Sequence, residues 1–93
     1  MTVTMFEKEW DVKNPTYKEK RELWKLNTMA FEGDKINQDI YFDLLSKTES
    51  ISGLKPADYK DDKGVDLSMS EIDLLLQQVF LNYMGIANNS KKS

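Results

Sequence analysis

The sequence predicts an all-α domain: a small bundle of three main helices preceded by an extended or strand-like N-terminal arm. Three observations lead there. Apolar residues recur at helical spacing in three separate stretches, helix-capping residues stand at their starts, and a glycine follows each one. The 93 residues suffice for one hydrophobic core but not two, because halves would approach the ~40 residues below which cores fail without staples. Residues 1–13 are therefore assigned to the arm, 14–86 to the helical domain, and 87–93 to a flexible polar tail.

The arm is centred on Thr4–Val12. Phe6, Trp10 and Val12 fall on one side and Glu7, Glu9 and Asp11 on the other, an alternation interrupted at Lys8. No other stretch reads as a strand. A lone strand leaves its backbone groups unpaired. Two readings stay open: an extended arm that lays Phe6 and Trp10 on the helices, or a strand that pairs with another chain.

The first helix is expected to open at Asn14-Pro15, with Asn as cap and Pro at the first helical position, where its missing N–H costs nothing. Tyr17, Trp24 and Phe31 recur at spacing seven, with Leu23, Leu26 and Ala30 beside them, so the apolar arc covers about half the circumference. Asn27 lies inside that arc, as a satisfied core group or as a recognition residue. Gly33 is expected to end the helix.

The second helix is predicted over Asn37–Ser52, capped by Asn37 and stapled by Ile36 and Tyr41. Ile40, Tyr41, Leu44, Leu45 and Ile51 share one stripe, and Phe42 falls off its edge. Gly53 ends it, and Pro56 then suits the start of a single helical turn. The third helix announces itself most clearly. Ser68-Met69-Ser70-Glu71 is a capping box, Leu67 and Ile72 supply the staple, and the helix should run to about Met84 and stop at Gly85.

Composition removes most chemistry. With no cysteine and no histidine there is no thiolate or imidazole for catalysis or for a metal. No catalytic, cofactor-binding or metal-ligating residue is assigned, and no small-molecule substrate is expected. The acidic loop Asp58–Asp66 invites a calcium reading, but placing Gly64 at the sixth position of an EF-hand loop puts Tyr59 at the first and Ser70 at the twelfth. The pattern fails. A net charge of −3, with nine acids against four lysines from Ile36 to Ala87, argues against a nucleic-acid partner. The last two helices do not make a DNA reader, because the second carries Glu71 and Asp73 and neither Lys nor Arg. The longest apolar run is three residues, so neither a membrane span nor a signal core is expected, and the chain reads as soluble and intracellular.

Protein–protein contact is what remains. Ile72, Leu75, Leu76, Val79, Phe80, Tyr83 and Met84 form the core-facing arc of the last helix, yet Leu74 and Leu81 stack on the opposite side between Gln77, Gln78 and Asn82. A helix apolar on two sides is either buried centrally or packs on a partner. The candidate partner-binding residues are Phe6, Trp10, Phe42, Leu74, Gln78 and Leu81.

The order of parts, from Asn14-Pro15-Thr16-Tyr17 through Asp34–Leu45 and Ile51-Ser52-Gly53-Leu54 to Leu67–Asp73 and Ile72–Gly85, resembles small helical proteins of tailed bacteriophages, particularly tail assembly chaperones encoded beside the tape-measure protein. The resemblance spans roughly residues 12–86 and rests on helix caps and apolar periodicity. It implies a non-enzymatic, self-associating α-helical protein of the host cytoplasm during assembly. Such a protein would hold the apolar-rich tape-measure helix in solution until tail-tube subunits polymerise around it. Two alternatives accompany it. One is a structural virion subunit (connector, tail or baseplate adaptor) docked through the N-terminal arm; the other is a small acidic adaptor or inhibitor of a host enzyme.

Overall fold

A computed structural model describes residues 1–85. The chain forms β1 (Thr2–Met5), β2 (Lys8–Asp11), α1 (Tyr17–Ala30), β3 (Phe31–Glu32), β4 (Lys35–Ile36), α2 (Gln38–Ser52), a 3-10 turn at Pro56–Asp58, and α3 (Met69–Tyr83). The polar tail expected over 87–93 lies outside the described residues.

The fold is α+β, which corrects the all-α expectation. Three helices are present, but β1 and β2 form one antiparallel pair, with Val3 opposite Trp10, and β3 and β4 form another. The N-terminal arm is thus a hairpin in which each strand pairs along one edge with the other. Val12 N–H extends the ladder by donating to the Met1 carbonyl at 2.9 Å. Phe6 and Glu7 make its two-residue turn, with φ of 55° and 58°, the arrangement of a type I′ turn. The interruption at Lys8 marks the place where the chain has reversed. The short second hairpin turns at Gly33-Asp34, and Gly33 supplies a φ of 60° at the first turn position.

Helix starts follow reciprocal side-chain bonding. α1 begins later than Asn14-Pro15 because Thr16 and Glu19 form a capping box. Glu19 N–H donates to Thr16 Oγ1 at 3.1 Å, and Thr16 N–H donates to Glu19 Oε1 at 2.8 Å. Nor does Gly33 end α1. The helix closes at Ala30, and Phe31 N–H still donates to the Asn27 carbonyl as the chain enters β3. At α2 the expectation holds: Asn37 Oδ1 accepts Ile40 N–H at 3.2 Å, and Gly53, at φ 83°, caps the far end. The Ser68–Glu71 box opens α3 as read, with both bonds formed.

The core gathers Val3, Trp10 and Val12 from the first hairpin and Leu23 from α1. To these are added Leu44 and Ile51 from α2, Tyr59, and Leu75, Val79, Phe80 and Tyr83 from α3. β1 lies against α3. Within the helical layer α1 packs on α2 and α2 packs on α3, while the backbones of α1 and α3 rarely approach closely. That separation leaves a furrow. Among the described residues no helix is long and apolar enough to cross a membrane.

Candidate helix-docking groove

α2 is the middle member of the three helices, so α1 and α3 stand as two walls above it. Two hollows adjoin these walls; α2 floors the smaller, and the larger is lined by α1 and the end of α3. The larger, about 680 Å³, is lined by Tyr17, Arg21, Trp24 and neighbouring α1 residues, with Tyr83 and Met84 opposite. The smaller, about 190 Å³, has Asn27 and Phe31 on one wall and Gln77, Phe80 and Leu81 on the other, above Tyr41, Leu44 and Leu45 of α2. Trp24 and Asn27 are one helical turn apart, as are Phe80 and Tyr83, so the hollows are successive stations along the same pair of walls. The start of α1 faces the end of α3, and the two helices run in opposite directions.

The groove is aromatic and open to solvent. Tyr17 is 74% exposed, Trp24 51% and Phe31 44%. These are the three residues at spacing seven, and they stand one row away from Leu23 and Ala30, which are fully buried. Half a circumference of apolar side chains is more than α2 alone can cover, so α1 buries one edge of its arc and presents the other. Phe31 meets Tyr41 edge to face at 5.9 Å between ring centres, which steadies the rim of the smaller hollow.

Polar groups at the floor are internally bonded. Gln77 Nε2 donates to Tyr41 Oη. Burial, with Asp73 adding, raises the Tyr41 phenol above its ordinary range. Tyr83 Oη donates to the Lys13 carbonyl at 2.6 Å, anchoring the end of α3 to the segment before α1. Burial first, then the charge of Glu19, pushes the Tyr83 pKa up to about 12, so its proton stays in that hydrogen bond. Among the described residues no side-chain nitrogen or oxygen is buried without a partner.

Only part of the expected contact set meets at this groove. Leu81 is half-buried and lines the smaller hollow, and Leu74, 47% exposed, continues its row two turns up α3. Gln78 is half-buried beside them, its carbonyl accepting Asn82 Nδ2 at 2.8 Å. Phe42 is 53% exposed on α2, its ring 6.1 Å from that of Tyr41. Trp10 and Phe6 lie elsewhere. Trp10 is 3% exposed, donates Nε1–H to the Met5 carbonyl at 3.1 Å, and carries Lys8 Nζ 4.2 Å from its ring centre. Phe6 sits at the hairpin turn, partly buried against the core. Trp10 serves the core, while Phe6 also borders a separate hollow with Leu67 and Glu71. Tyr17, Trp24 and Met84 were absent from the expected set, and the signal that pointed to them was the excessive width of the first helix's apolar arc. Asn27 lines the smaller hollow and is not enclosed in the core.

The acidic loop is a self-bonded turn. Asp61 Oδ1 accepts N–H bonds from Val65 at 2.9 Å and Lys63 at 2.8 Å, which hold its carboxyl below the usual carboxylate range. Among the described residues no group of three or more acidic side chains converges to hold a metal ion.

Comparison with protein-family models, with curated proteins and with solved structures found no match.

Proposed function

We propose that this chain acts without catalysis, by receiving a helix of another protein in the groove between α1 and α3, and that it serves as a tail assembly chaperone holding the tape-measure protein of a tailed phage. The observation that supports helix reception is the pairing of two antiparallel walls whose backbones rarely approach closely, lined by exposed aromatics at heptad spacing, with α2 flooring the smaller hollow. An amphipathic helix buries its apolar row in a furrow of this kind, with anchors one and two turns apart. The client is suggested by the likeness of the helix order to tail chaperones. Self-association, and residence in the host cytoplasm during assembly, belong to the same reading.

A virion subunit docked through residues 1–13 is the weaker alternative, because β1 already has a strand partner within the chain and Trp10 is enclosed. Co-expression with a tape-measure fragment tests the choice. The chaperone reading expects soluble complex with the native chain, aggregated fragment with Trp24→Glu, and none of this chain in finished particles. Abundant copies in particles, or equal rescue by Trp24→Glu, would contradict it.

A further inference from the structure

The groove is charged at one end only. Around the larger hollow stand Lys18, Lys20, Arg21 and Lys25 against a single lining acid, Glu22, in a chain whose net charge is −3. Glu22 is engaged by Lys47 of α2 at 3.1 Å, and the nearby Glu19 is held in the capping box. The four cations have no carboxylate partner among the described residues, although Arg21 donates to Tyr17 Oη at 3.1 Å. Toward Phe31 and Leu81 the lining contains no charged residue, and α3 carries no charge from Leu74 through Met84.

The placement of these cations runs against the needs of the helix that bears them. Lys18, Lys20 and Arg21 fall within the first five residues of α1, where the helix dipole favours anions. Local stability would be served by acids there. A cationic lip at that position makes sense as complementarity to something outside the chain.

We infer that the helix received by the groove carries a cluster of carboxylates at the end lying beside Tyr17 and Met84, and an uncharged apolar row at the end lying beside Phe31 and Leu81. This rests on the groove being a helix receptor. The carboxylates face Lys18, Arg21 and Lys25 while the apolar row covers Trp24, Phe31 and Leu81. The charge asymmetry fixes the direction in which the partner lies and the charge pattern it must carry.

The test uses two synthetic amphipathic peptides of about 20 residues, long enough at ~1.5 Å per residue to pass both hollows. They share one leucine row and differ only in ending in glutamates or in lysines. Binding to the full chain is read by titration calorimetry, which serves the native chain and Trp24→Glu alike. The glutamate peptide is expected to bind about tenfold tighter at low ionic strength, an advantage that shrinks with added salt. In Lys18→Glu/Arg21→Glu/Lys25→Glu the preference should invert while thermal stability is kept, because Lys18→Glu and Arg21→Glu put acids among the first five residues of α1. Lys55→Glu/Lys63→Glu, reversing charge on loops away from the groove, should keep the native preference. Equal affinity for the two peptides, or the same shift in both variants, overturns the charge reading and leaves the groove standing. Failure of both peptides to bind, or undiminished binding to Trp24→Glu, overturns the groove itself. A dimer of this chain that both peptides must displace would put a second copy in the furrow and equally refute the inference.

Discussion

The hairpin between β1 and β2 turns through two side-chain-bearing residues in the left-handed region, and Glu7→Gly is expected to stabilise the protein. Left-handed backbone costs an L-residue about 1–2 kcal/mol, a penalty glycine does not carry. Glycine in turn adds freedom to the unfolded chain, opposing the gain by about 0.5–1 kcal/mol. Glu7 is exposed and forms no ion pair among the described residues, so no native contact offsets the relief. The net is about +0.5–1 kcal/mol. At about 4–8 °C per kcal/mol for a domain of this size, the thermal midpoint should rise by about 4 °C, measured by circular dichroism at 222 nm (the ~222 nm helical band). Phe6→Gly is the contrast. It relieves similar strain but removes a ring packed on the core, and it should destabilise by about 1–2 kcal/mol. A lower midpoint for Glu7→Gly would refute the type I′ turn, and with it the hairpin in place of an arm.

Other expectations follow from the same packing. Leu23→Ala, at a fully buried site, should cost about 3–4 kcal/mol in denaturant unfolding. Ser68→Ala removes one half of the capping box and should cost about 1 kcal/mol. Tyr83 contributes stability that is fully present below the unfolded phenol pKa of 10.0. That contribution is lost as pH rises toward the folded value of about 12, so Tyr83→Phe should flatten the alkaline fall in stability. Covering the exposed half of Trp24, about 100 Å², contributes about 2.5 kcal/mol at ~25 cal/mol/Å², so Trp24→Ala should weaken partner binding roughly 50-fold by calorimetry.

What could be read from the chain was what neighbouring residues decide among themselves. The Ser68–Glu71 box, the Asn37 cap and the Gly53 stop each depend on a few adjacent residues, and all are present. The Thr16–Glu19 box is equally local, and its two reciprocal bonds, rather than the Asn14-Pro15 pair, set the start of α1. The first hairpin escaped because its turn lacks the Asn or Gly that marks type I′ turns, and its φ values are held by Phe6 packing on the core. Gly33-Asp34 is a hairpin signature, hidden by strands of two residues each and by a glycine that also suits a helix end. Exposure of the row Tyr17–Trp24–Phe31 could not be read locally. It follows from the separation of α1 and α3 across α2, which only the assembled helices determine. The same cause left Leu74 in solvent and drew Leu81 half inside.

The central claim, that the furrow beside α1 accepts a helix, is met most directly by the two indole N–H resonances in an NMR titration. Trp10 Nε1–H is held by the Met5 carbonyl and enclosed, whereas Trp24 stands half in solvent on the wall of the groove. On addition of a tape-measure helix the Trp24 indole signal should shift and saturate while that of Trp10 stays in place. Saturable binding that leaves the Trp24 signal unmoved would contradict the account.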